Sequence, residues 1–272
     1  MHPFHQAVPT NPPDETLVAD AVGGNRRSLE VLLKRHQDYV FNVALRLFLH
    51  PDDALDATQE VLIKVVTSLK TFAGQSGFRT WLYRIVVNHF LNSPLRRYEQ
   101  QHDRVADLSQ LPDVPEREAN EAEIEEVRVL CATAMLLCLT REQRLLYIIG
   151  DIFGADHELG AALFDLTPGN YRVRLHRANA DLRQFVGGKC GLVDPRNPCR
   201  CPKKARAMVQ QGVVDKDRLL FNRHYTQTIE QVVHTRREAV SDTIQLAMGD
   251  LFRQSPFQVR QEIDQLFETL LP

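Results

Sequence analysis

No apolar run long enough to cross a bilayer, which takes about 20 residues, occurs in this 272-residue chain. The Pro-rich start MHPFHQAVPTNPP also lacks the apolar centre of a secretory signal, so a cytoplasmic protein with no membrane segment is expected. Alternating strand patterns bounded by hairpin signals such as Asn-Gly are missing, which argues against a sheet. A global basic field is missing too: the formal net charge is -2 and the pI about 6.6, so any nucleic-acid site must be local. Five cysteines, an odd number, in a chain without an export signal argue against a disulfide framework. No catalytic triad, metal-nucleotide motif or Gly-rich phosphate loop is visible. Catalysis is therefore not expected.

What is present is helical spacing, almost throughout. Leu29, Leu32, Leu33, Val40, Val43, Ala44 and Leu47 mark one long amphipathic stretch that ends before His50-Pro51, and Asp52 or Asp53 can cap the next helix. That helix carries Val61, Leu62, Val65, Val66 and Leu69. A short loop, residues 72–77, precedes a further helix that Pro94 stops. Composition then turns acidic and polar, with Pro112 and Pro115, as in a flexible linker. The expectation is an all-α protein: a first helical domain over 14–98, a linker over 99–122, a second domain over 123–186, and a Cys-containing helical extension over 187–272.

The stretch FRTWLYRIVVN places the only tryptophan between two arginines. A Trp in the stripe Trp81, Leu82, Ile85, Val86 is ordinarily core. Here Phe72, Phe78, Trp81 and Tyr83 lie beside a Gly-bearing loop, with Arg79, Arg84 and Asn88 interleaved. Aromatic faces stack on unpaired bases and arginines hold phosphates, which is the chemistry of capturing a melted strand. The run DALDATQEVLIKVVTSLKTFAGQSGFRTWLYRIVVN resembles region two of bacterial sigma factors of the extracytoplasmic-function group. The resemblance implies that Asp53, Asp56, Gln59 and Glu60 dock on the clamp helices of core RNA polymerase. It also implies that Phe72, Phe78, Arg79, Trp81, Tyr83, Arg84, Asn88, Arg96 and Arg97 act on the proximal promoter element. Ala57, Thr58 and Val87 depart from the family pattern, where Leu, Val and Arg are usual.

In the second block, a turn over 165–168 separates a small helix from a basic one, as in a helix-turn-helix whose second member suits a major groove. This block is similar to sigma region four, which implies that Asn170, Tyr171, Arg172, Arg174 and Arg177 contact the distal promoter element. Gly160 stands for a core Ile of the family, Asp165 for the turn Gly, Tyr171 for Val and Val173 for Ser. Cys131 and Cys138 have the spacing of one helix face and read as small buried thiols.

Cys190, Cys199 and Cys201 sit among Lys189, Arg196, Arg200, Lys203 and Lys204. Nearby cations favour thiolates, so zinc, a structural free-thiol loop and a redox-sensitive loop all stay open. A tetrahedral site needs a fourth ligand, for which His224 or His234 is the candidate. The resemblance implies a sigma factor that brings core RNA polymerase to promoter DNA and melts the proximal element. The alternative is a sigma-like helix-turn-helix regulator unable to initiate by itself. Apolar periodicity in the extension predicts an intramolecular contact with the sigma domains.

Overall fold

A computed structural model describes residues 12–100, 120–210, 212 and 214. Among the described residues every regular element is helical and no helix is long and apolar enough to cross a membrane. His224, His234 and most of the extension lie outside them, as does the linker segment 101–119.

The chain divides into two compact units. Within the described residues the first comprises 12–96 and 145–175, and the second 97–100, 120–144 and 176 onward. The segment 145–175 thus packs with the first block, while 120–144 packs with the later chain.

In the first unit, α1 (Asp14–Val22) opens with Asp14 and Glu15, negative charge at the positive end of the helix dipole. Asn25 caps α2 (Arg26–Phe48), its side chain accepting from the Ser28 N–H at 3.1 Å. Asp14 clamps α1 to α2, 2.5 Å from Arg35 Nη1 and 3.0 Å from His36 Nε2. Leu49 ends α2 in the left-handed region at φ 64°, a cost accepted because its side chain is buried. The cap of α3 (Pro51–Ser68) is His50, not the expected Asp52 or Asp53. Its Nδ1 accepts from the Asp52 N–H at 3.2 Å, and Pro51 takes the first turn, where no N–H is needed.

Leu32, Val40, Val43 and Leu47 of α2 meet Val61, Leu62 and Val65 of α3 in the core, which Leu82, Val86 and Phe90 of α4 (Phe78–Asn92) complete. Each such side chain contributes about 1.5–3 kcal/mol by burial. Ala57 and Thr58 are fully buried on α3, and the Thr58 hydroxyl donates to Ala54 O at 2.7 Å. Their small size suits the α2–α3 contact. Val87 is likewise fully buried, so an arginine would be desolvated there.

The second unit starts with α5 (Arg97–Gln100), whose Glu99 was expected in the linker. It is buried, pairing with Arg141 and accepting from Arg144 Nη1 at 3.2 Å. Composition alone could not show those partners, about forty positions away. α6 (Glu121–Met135) gives way to a tight 3-10 turn, Leu136–Cys138, and then α7 (Arg141–Tyr147) begins. Its C-terminal residues enter the first unit, where a π turn (Ile148–Ile152), α8 (His157–Leu163) and the start of α9 (Pro168–Gly187) follow. The remainder of α9, a loop over 188–200 and α10 (Cys201–Gln210) are the last described elements of the second unit, in which α10 packs along α6 and buries Ala205, Ala207 and Met208.

Candidate nucleic-acid interface

Phe72, Phe78 and Trp81 form a three-ring cluster where the loop meets α4, with centroids 5.8, 5.5 and 5.6 Å apart. Phe78 is its base: only 1% exposed, it also packs edge-on against His36 at 5.5 Å. Phe72 and Trp81 remain half-buried, and Ala73 through Gly77 are all exposed. Gly74 turns this loop at φ +67°, and a Cβ there would meet nothing within 4 Å. Two partly open rings thus border a small-residue loop, with a third ring anchoring them in the core.

Of the remaining predicted residues on α4, Tyr83 is core at 1% exposed, and burial raises its phenol well above the ordinary range. It cannot reach a ligand in this conformation. Its ring lies 6.4 Å from Tyr39, and Arg79 is half-buried within electrostatic reach of both phenols. Arg84 and Asn88 are exposed. Arg84 is already engaged: Nη2 and Nε donate to Ala162 O of α8 at 2.7 and 3.1 Å, and Asp165 is 3.7 Å away. Arg46, buried on α2, donates to Asn42 and lies 5.3 Å over the Phe153 ring. No sequence signal pointed to these two arginines as partners of the segment 145–175.

On α3, Asp56 is exposed while Asp53 and Gln59 are half-buried. Glu60 is part of a charged network, with Arg96 donating to it at 3.1 and 3.3 Å and His89 Nε2 3.1 Å away. Lys64 Nζ stands 2.8 Å from His89 Nδ1. Burial and then the Lys64 charge lower the His89 pKa, against the pull of Glu60. The Arg96 guanidinium also covers Phe48, 5.6 Å from the ring centroid. The side chain of Arg97 lies outside the described residues.

The turn between α8 and α9 puts Asp165 at φ +52°, the left-handed conformation in which Asp is among the tolerated non-glycine residues. Asp156 caps α8 by accepting from the N–H groups of Glu158 and Leu159 at 3.0 and 2.8 Å. Thr167 Oγ1 accepts from the Asn170 N–H at 3.3 Å at the start of α9. Asn170, Arg172, Arg174 and Arg177 are exposed on one helix together with Val173. Tyr171, expected among the DNA contacts, is fully buried against Leu146, Ala161 and Leu175.

Its ring occupies the space that a side chain at Gly160 would need: a Cβ there would fall 2.1 Å from Tyr171 Cζ. A Cβ at Gly150 would fall 2.9 Å from the Tyr171 hydroxyl. Gly160 and Tyr171 are therefore one compensated pair, large facing absent, rather than two separate departures.

Known proteins share this sequence pattern. Residues 32–110 match the family model of Sigma-70 region 2. The chain is 33% identical over 187 residues to the ECF RNA polymerase sigma factor SigE of Mycolicibacterium smegmatis, an alignment covering 65% of this chain and 70% of that protein. It is 28% identical over 176 residues to the ECF RNA polymerase sigma-E factor of Haemophilus influenzae, covering 61% of this chain and 90% of that one. The solved structure of CnrH in complex with the cytosolic domain of CnrY aligns at 23% identity over 64% of this chain and 96% of that chain, with a TM-score of 0.48.

Proposed function

This chain belongs to the ECF RNA polymerase sigma factors, and on that footing we propose that it directs core RNA polymerase to specific promoters and melts the proximal promoter element with the loop and first turns of α4. The observation that carries this reading is the Phe72, Phe78 and Trp81 cluster. Phe78 is held by the core, so the half-open faces of Phe72 and Trp81 are preorganised rather than mobile. Stacking of an unpaired base on such a face contributes about 1–3 kcal/mol. The exposed 73–77 loop leaves room for the sugar and phosphate to approach the backbone.

Asp53, Asp56 and Gln59 of α3 form the polymerase-docking face in this reading, with Glu60 oriented by Arg96 and His89. The exposed arginines Arg172, Arg174 and Arg177 read the distal element from a major groove, with phosphate contacts setting the register. Arg84 reaches promoter DNA by exchanging its bonds to Ala162 O for phosphate. Packing of α10 along α6 supports the extension acting on the second block. Polymerisation itself belongs to the core enzyme.

Permanganate footprinting of thymines in the open complex tests the proposal. Trp81→Ala is expected to lose reactivity at the upstream edge of the bubble while its melting temperature stays close to that of the parent. Phe78→Ala is expected to lose stability by about 3–5 kcal/mol. Unchanged footprints with Trp81→Ala would remove this cluster from strand capture.

A further inference from the structure

Among the arginines of α9 stands one exposed large hydrophobic side chain, Val173, 49% exposed between Arg172 and Arg174. Tyr171 and Leu175, two positions to either side of it, are both buried with Leu146 and Ala161. Positions two apart on an α-helix stand about 200° apart around the axis, so Val173 faces away from the core.

That direction is fixed by packing. The Tyr171 ring fills the slot over Gly160, where a Cβ would fall 2.1 Å from its Cζ, and a Cβ at Gly150 would fall 2.9 Å from its hydroxyl. A helix keyed this way cannot roll about its own axis. Thr167 Oγ1 accepts from the Asn170 N–H at 3.3 Å and sets where the helix begins, which puts Val173 in the first two turns, the part of a helix-turn-helix reader that meets base edges. A helical side chain covers the turn N-terminal to its own Cα, here the turn of Gly169 and Asn170. A Cβ at Gly169 would meet nothing within 4 Å, and Asn170 is exposed. The approach to the Val173 methyl groups is therefore open.

Chemistry narrows what can use that approach. Serine, usual in the family at this position, donates and accepts hydrogen bonds and suits phosphate or water. Valine does neither and contributes only against an apolar group. The arginines on both sides favour an anionic partner such as a duplex over an apolar protein surface. Along the major groove, the apolar group on a base edge is the 5-methyl of thymine.

We propose that Val173, on the footing that α9 reads the distal promoter element, is a specificity-determining residue that packs on the 5-methyl group of one thymine in that element. The flanking arginines hold phosphates and set the register, and Val173 then favours thymine at a single position. Removing that methyl removes the burial of one methyl group, about three- to five-fold in affinity.

The test needs no change to the protein in its first arm. Holoenzyme assembled from core RNA polymerase and the full-length chain is bound to a promoter duplex from the class it transcribes, with each distal-element thymine replaced singly by deoxyuridine, which keeps the pairing and lacks only the methyl. One position is expected to lose about three- to five-fold in affinity. In the second arm Val173→Ser binds the thymine and uracil duplexes at that position alike, and Val173→Thr, which keeps one methyl group, retains part of the difference. A methyl effect that persists in Val173→Ser assigns the contact to another side chain and overturns the proposal. A distal element without thymine, or one indifferent to uracil at every position, overturns it too. In that case Arg172→Ala with Arg174→Ala on the same duplex separates the two readings: weakened binding keeps α9 as the distal reader without Val173, and unchanged binding removes α9 as well.

Discussion

Replacing Gly160 by Ile and Tyr171 by Val, separately and together, restores the residues usual in the family and measures how tightly these positions are coupled. Gly160→Ile alone sets a β-branched side chain where Tyr171 Cζ, Cε1 and Oη would lie 2.1, 2.5 and 2.5 Å from its Cβ. The ring cannot retreat freely, because Gly150 and Leu175 close its other side. Overpacking of this kind costs about 1–3 kcal/mol and occasionally more, which outweighs the gain of about 0.5 kcal/mol from replacing a helical glycine.

Tyr171→Val alone empties the slot. Removal of a buried aromatic costs about 3–5 kcal/mol for truncation to alanine. Valine retains part of that, and the lost hydroxyl, which is buried with no hydrogen-bond partner among the described residues, returns some desolvation cost. On that basis about 2–3 kcal/mol remains. The double variant should be more stable than the sum of the single effects by about 1–3 kcal/mol. Trp81, the only tryptophan, lies in the same unit, so its fluorescence during urea unfolding reports on the relevant half of the protein. Additivity within about 0.5 kcal/mol would show that the two positions are not packed against each other and would refute the compensated-pair account.

Acid sensitivity follows from Asp14. Burial pushes its pKa up, but the hydrogen bonds and charges of His36 and Arg35 outweigh this and hold it at about 2, against an ordinary 3.8. A depressed carboxyl stabilises the fold above its unfolded value and loses that contribution as pH falls from 3.8 to about 2. With partial solvent screening the contribution is about 1–2 kcal/mol, and Asp14→Asn should flatten the stability profile across that window in acid titration followed by circular dichroism. Glu99→Gln leaves Arg141 and Arg144 without their buried carboxylate, and should destabilise the second unit by about 3–5 kcal/mol, read as a lower urea midpoint by circular dichroism. Alanine at Arg172, Arg174 and Arg177 together should reduce the salt-dependence slope of promoter binding by about one for each phosphate no longer neutralised. An unchanged slope would exclude α9 as the DNA reader.

The helical stripes were legible because each depends on neighbours three and four positions away. Leu32, Val61 and Leu82 are core as their spacing indicated. The loop before α4 was legible from its small residues, and the left-handed turn at Asp165 from the glycine it replaces. Partnerships between distant positions have no such periodicity. Glu99 looked like linker because Arg141 and Arg144 are what bury it.

Cys131 looked like a companion of Cys138, yet the chain leaves the α-helix after Met135, so their shared face does not persist. Aromatic type was also ambiguous. Phe78, Trp81 and Tyr83 stand within one helical turn and a half, but only Trp81 keeps an open face, while Phe78 and Tyr83 turn into the core. Composition cannot distinguish the ring that stacks on a base from the ring that supports it.

Run-off transcription with purified core RNA polymerase tests the central claim most directly. Core enzyme plus this full-length chain, on a template library of upstream sequences, should yield transcripts from a defined promoter class, and Trp81→Ala should abolish them while still binding core enzyme. A chain that binds core polymerase and promoter duplex yet yields no specific transcript from any template would contradict the account.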